Sequence, residues 1–169
     1  AVLPFKASIA HYHFEVINIS YEEHKSMEVN AGIEIQKEIF SYLLRKEKKG
    51  KLTVSVQPPD ITNSRLDSAN AIFEDINEYY PRALADLLEV DAIICGKFKA
   101  YRPNPIGGSL VKDKNNTEAI IRLRIYNGED GSLLAGYNRY RVMMGLIPGV
   151  VSIESRLIRK VARKIPYGR

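Results

Sequence analysis

Three residues in "HYHFE", His11, His13 and Glu15, stand two apart, and two imidazoles with a carboxylate are metal-ligand chemistry. On a strand, side chains at i and i+2 project from the same face, so H-x-H-x-E could hold a cation. His24 could fold back to join them. The simpler reading is the solvent side of an alternating strand, and the spacing alone does not decide between the two. Cys95, the one cysteine, lies in the apolar run "DAIICGKF". Apolar neighbours raise a thiol's pKa, so this is a small buried hydrophobe rather than a nucleophile. With a single cysteine, no disulfide framework and no cysteine-based zinc site forms within the chain.

Phosphate chemistry would need a glycine-rich loop opening a helix. "PIGGSL" has the glycines without the Lys-Ser/Thr that follows in such loops, and GxGxxG is absent. "GLIPGV" precedes a helical pattern, whose N-terminus suits an anion, but also reads simply as a loop entering a helix. GxSxG, SxxK and HExxH are absent, and the acidic residues are scattered. The sequence therefore names no catalytic residue, no cofactor and no metal. An enzyme would have to be built around "PNPIGG" and the histidines.

Cations are the remaining chemistry. Net charge is +5, mildly basic. "RKEKKGK" places Arg45, Lys46, Lys48 and Lys49 at the end of a helical pattern. A terminal helix carries Arg156, Arg159, Lys160, Arg163 and Lys164 opposite its apolar stripe. The helix dipole favours cations at a C-terminus by ~0.3–1 kcal/mol, which accounts for much of the placement. Read functionally, the same nine residues form an interaction patch for anionic lipid headgroups, polyanionic glycans or nucleic acid. Nucleic acid is the weaker case, since no recognised binding motif and no Trp are present.

The elements that must position these groups follow from periodicity. "AVLPF" reads as a short buried strand, an interior one in the sheet, with Pro4 where pairing stops. His11 to Ile19 alternates as an added strand. Ala31, Ile35, Ile39 and Leu43 recur every four residues, predicting a helix from Ser26 to Lys48 stopped by Gly50. Lys51 to Gln57 is β-rich. Short helices are expected from Ser68 to Asn77 and from Pro81, which suits a first helical turn. "DAIICGKFKAY" begins as a doubly buried strand and turns amphipathic. Arg102 to Asn116 is a polar loop. Ile121, Leu123 and Ile125 alternate with Arg122, Arg124 and Tyr126, "NGEDG" turns the chain, and Leu133 to Val142 returns as a hairpin. A last helix runs to Ile165 on Val150, Ile153, Leu157, Val161 and Ile165. The order β-β-α-β-α-α-β-β-β-α predicts one α/β (α+β) domain over residues 1–169, with a single mixed parallel and antiparallel sheet and packed helices. No stretch reaches the ~18 apolar residues of a membrane-crossing helix.

Four phrases, in order, carry a resemblance: "AVLPF" at the start, "LLEVDAIICGKF" from Leu87, "YNGEDGSLLAG" from Tyr126 and "RKIPYGR" from Arg163. Together they resemble a group of bacterial envelope lipoproteins. The group includes the curli-secretion lipoprotein family, the activator lipoproteins of penicillin-binding proteins and the N-terminal domain of TolB. The resemblance implies a mixed α/β domain similar to an anticodon-binding fold. It also implies export to the periplasm and an outer-membrane anchor through a lipidated Cys upstream of residue 1. The partner would be another envelope protein or a second copy of the chain, with an anionic membrane surface as a further candidate for the patch. The chain departs from the curli-type pore, because its only spare segment, Arg102 to Asn116, is short and polar. Fold and address carry over, and functional residues do not. The competing expectation is a cytosolic nucleic-acid- or nucleotide-binding domain that uses the basic helices.

Overall fold

The computed structural model describes residues 1–10, 20–71, 76–101, 116–144 and 160–165. Its strands are β1 (Lys6–Ala10), β2 (Ala92–Tyr101), β3 (Asn116–Asn127) and β4 (Leu133–Met144), in a four-stranded sheet of order β1-β2-β3-β4. β1 runs parallel to β2, while β2, β3 and β4 form an antiparallel meander. The helices are α1 (Tyr21–Lys48), α2 (Pro59–Ser68) and α3 (Pro81–Leu88), with a 3₁₀ turn at Ile76–Glu78. This is the mixed α/β sheet with packed helices expected from the sequence.

The opening pentapeptide is buried, but its pairing differs from the expectation. Val2 bridges Ile94 in parallel, and the ladder then breaks and resumes at Lys6 opposite Lys97. Four steps on this side therefore span three on β2, an extra residue of the kind found in a bulge. Pro4 sits in the break, where its missing N–H costs no ladder bond. The next donor, the Phe5 N–H, turns out of the sheet to the Gly32 carbonyl at 3.2 Å. As a result Val2, Phe5, Ala7 and Ile9 share one core while Leu3 enters another. Among the described strands β1 lies at the edge rather than in the interior.

Three other boundaries move. α1 begins at Tyr21, ahead of the expected Ser26. Ser20 Oγ accepts from the Glu23 N–H at 3.2 Å, and the Glu23 carboxylate accepts from the Ser20 N–H at 2.8 Å, a reciprocal cap that extends the helix. Lys51–Gln57 forms no strand beyond an isolated bridge at Leu52, although Leu52 and Val56 still pack against the core. At Ser68, the expected start of a helix to Asn77, α2 instead ends: Pro59 fixes its first turn, Thr62 and Leu66 are buried, and Asn70 at φ 52° breaks it, while residues 72–75 of the expected helix lie outside the described residues. α3 starts at Pro81 as expected and ends on Glu89 in the left-handed region at φ 53°.

Two cores lie on opposite faces of the sheet. On one, α1 presents Ala31, Ile35, Ile39 and Leu43 to Phe98, Ile121, Leu123 and Ile125. On the other, α2 and α3 bring Leu66, Leu84 and Leu88 to Leu3, Ile93 and Cys95. Gln36, fully buried, ties them together. Its amide donates to the Val2 carbonyl at 2.8 Å and to Asn63 Oδ1 at 2.9 Å, and Asn63 Nδ2 donates back at 3.1 Å. The first-named core also includes Val161, Ala162 and Ile165. The strand expected at His11–Ile19, the loop from Arg102 and the first part of the last helix lie outside the described residues.

Candidate functional site

Of the expected basic patch, the structure places Arg45, Lys46 and Lys48 in the last turn of α1 and Lys49 at its cap. Arg45 Nε donates to the Ser41 carbonyl at 3.1 Å, and Lys46 lies 5.4 Å from the Tyr42 ring centroid. Two of these four cations are thus held against their own helix, as dipole and cation–π attraction favour. Lys160, Arg163 and Lys164 are exposed beside Val161 and Ala162, whose core also holds Ile39 and Leu43. Arg156 and Arg159 lie outside the described residues, as do His11, His13, Glu15, "PIGGSL" and "GLIPGV". His24 has its Nε2 2.7 Å from the Ile9 carbonyl, a tie between α1 and the end of β1. Among the described residues no group of three His, Cys, Asp or Glu side chains could hold a metal ion.

A second basic surface was not singled out from the sequence. Residues directly opposite in a ladder share a face. The register pairs Lys6 with Lys97, Lys97 with Arg122, and Cys95 with Arg124. Lys99, two residues beyond Lys97, projects the same way. These five cations therefore lie on one face, on a grid of roughly 5 Å between strands and 7 Å along them. Lys97, Lys99, Arg122 and Arg124 are exposed, whereas Phe98, Ile121, Leu123 and Ile125 on the opposite face are buried. "GKFKAY" and "IRLRIY" carry this signal as cations at period 2. Only the strand register reveals that the two rows adjoin.

A carboxylate from outside the sheet meets this face. Glu78, in the 3₁₀ turn, meets Lys97 at 2.8 Å, and this bond and charge hold its carboxyl below the ordinary value. Arg124 donates to the Tyr126 hydroxyl at 3.3 Å. Among the described residues no carboxylate lies within ion-pair distance of Lys99, Arg122 or Arg124. Where the sheet passes under α3, a cavity of about 330 Å³ opens between Leu3, Tyr79, Tyr80, Leu84, Ile93 and Tyr126. Cys95 and Tyr126 line both this cavity and a smaller depression bounded by Lys97, Arg122 and Arg124, so the two adjoin. The Cys95 thiol is pushed up to about 11 by burial, which leaves it protonated and inert at neutral pH. A second cavity, about 520 Å³, lies where Leu43, Leu52, Val54, Val56 and Val90 meet.

Taken together, these features describe a single mixed sheet with helices on both faces and one open, basic sheet surface, a class defined by architecture rather than by a reaction centre. No family profile and no curated protein matches the chain. Among solved structures, the chain is similar to the crystal structure of the lipoprotein GNA1162 from Neisseria meningitidis. The TM-score is 0.53 at 13% identity, over 97% of this chain and 94% of that one. At that identity the likeness is one of fold. It agrees with the mixed α/β architecture expected from the sequence, and the neighbour is itself a bacterial lipoprotein.

Proposed function

We propose that the chain is a non-catalytic, envelope-associated binding or assembly module, anchored by a lipid on a Cys upstream of residue 1 and facing the periplasm from the outer membrane. It engages another envelope protein or a second copy of itself. The observation that carries this reading is the end-to-end likeness to a lipoprotein fold. The open basic surfaces, at the end of α1 and on the sheet, supply what a binding module needs.

The test is to express the natural gene with its upstream codons in the presence of an alkyne fatty acid. The reading requires acyl label on the protein, recovery in the outer-membrane fraction and crosslinking there to an envelope protein or to itself. Recovery in the cytosol without label, with binding to RNA or DNA at low salt, would put the cytosolic nucleic-acid reading in its place.

A further inference from the structure

We infer that the cationic sheet face is a docking site for an acidic polypeptide segment that carries one aromatic or large aliphatic residue. The carboxylates would pair with Lys97, Lys99, Arg122 and Arg124, and the apolar residue would enter the tyrosine-rimmed cavity beside them. This deepens the binding-module reading by naming the partner's chemistry, and in that respect it rests on that reading.

Three observations carry it. First, the cations repeat at i, i+2 on two neighbouring strands, with open space above: a Cβ added at Gly136, on the next strand opposite Arg124, would meet nothing within 4 Å. An extended peptide has the same ~7 Å period along its length, so alternate carboxylates can meet successive cations of a row. Second, Glu78 already places a carboxylate on Lys97, showing that the face accepts this group at hydrogen-bond distance. Third, the depression and the cavity share Cys95 and Tyr126, so a single segment can span charge and apolar anchor.

The shape argues against the other polyanions. α3 and the 3₁₀ turn rise beside the cations as a wall, so a flat headgroup layer would meet the wall before the floor. Single-stranded nucleic acid uses aromatic ring faces among its cations. Here Lys97, Lys99, Arg122 and Arg124 share the face with Ser8, Ile120 and Asn138, and the tyrosines with described side chains, Tyr79, Tyr80 and Tyr126, stand at the α3 end.

The experiment uses the purified chain and a fluorescein-labelled peptide of about ten residues, one Phe followed by alternating Glu and Ser, read by fluorescence anisotropy. The same peptide with Gln for Glu is the control. The peptide should bind, more weakly as salt rises, and the control should not. Lys97→Gln with Arg122→Gln should weaken binding about tenfold. Lys99→Gln with Arg124→Gln is the replacement pair if that variant does not fold. Glu78→Gln, which frees Lys97, should tighten binding. Gln at Arg45, Lys46, Lys48 and Lys49 removes more charge from elsewhere, and should change affinity less than either sheet pair. Equal binding of peptide and control, or equal losses from sheet and helix-end variants, overturns the inference. So does binding at this face by a dT oligonucleotide, by phosphatidylglycerol vesicles or by a second copy while the peptide fails. Because the titration needs no membrane, its failure leaves the envelope reading standing, and failure of the acylation test leaves the docking site standing.

Discussion

The two faces of the sheet are made by the same strands and differ in everything else. On the face beneath α1, apolar residues of β1, β2 and β3 form one core, with Ala135 and Tyr137 of β4 packed against it before β4 turns to the exposed Arg139 opposite Ile121. The other face buries apolar residues where α2 and α3 cover it, at Leu3, Ile93 and Cys95, and then turns mainly to lysine and arginine within the same strands. Strand alternation forces this division: a residue that fills one face cannot serve the other. Burial under α1 constrains the first face to shape, while the open half of the second is free to be chosen for charge. Stability and recognition are thus assigned to adjacent residues pointing in opposite directions.

The sharpest way to break that comparison is to mutate neighbours on β3. Leu123, fully buried, truncated to Ala should cost about 3–4 kcal/mol in urea unfolding. Arg122→Ala, one residue away, should change stability by no more than about 0.5 kcal/mol. Comparable losses from the two would mean the charged face is structural. Next in size is Gln36→Ala, which strips the Val2 carbonyl and Asn63 of their partner between the two cores and should cost about 2–3 kcal/mol. Asn63→Ala in the same background should then add little, since the pair acts together. Smaller again is Gly32→Ala. A Cβ there would stand 2.0 Å from the Phe5 carbonyl oxygen, so the N-terminal segment must shift. Overpacking of about 1–3 kcal/mol is offset by ~1 kcal/mol of helix propensity, for a net loss of about 0–2 kcal/mol.

Periodicity made the buried face legible. The i, i+4 run from Ala31 to Leu43 and the alternation through Ile121, Leu123 and Ile125 place their residues in one core, because burial is what imposes such patterns. Local chemistry was read unevenly. Pro81 announced α3, but Pro59 opened a helix by the same rule in a stretch expected to follow a strand, and the Ser20–Glu23 cap lengthened α1. The break at Pro4 was visible, yet not that pairing resumes one residue out of step, since register depends on what Phe5 does with Gly32. The basic sheet face was least legible. Arg122 and Arg124 stand out as the polar side of a strand, but a sequence does not say which row of lysines lies 5 Å away. The helix-end cations drew attention because they are contiguous, although contiguity on a helix C-terminus is largely explained by the dipole.

The smallest effect concerns the junction between covered and open parts of the second face. Glu78 joins the wall to the floor through Lys97, with both side chains about half exposed, at 57% and 45%. Its carboxyl is held below the ordinary value of 4.5 by the hydrogen bond from Lys97 and by the lysine's charge, with Lys6 adding a little. A folded pKa below the unfolded one means that the native state binds its proton less readily. The contribution is therefore present above pH 4.5 and is lost as pH falls through the lowered folded value. Glu78→Gln should leave stability below that value unchanged and reduce it slightly at neutral pH, so the two unfolding curves converge on acidification. Solvent screening keeps the difference small, and added salt should shrink it further. If the gap instead widens in acid, Glu78 is not Lys97's resident anion, and the face lacks the carboxylate precedent on which the docking site partly rests.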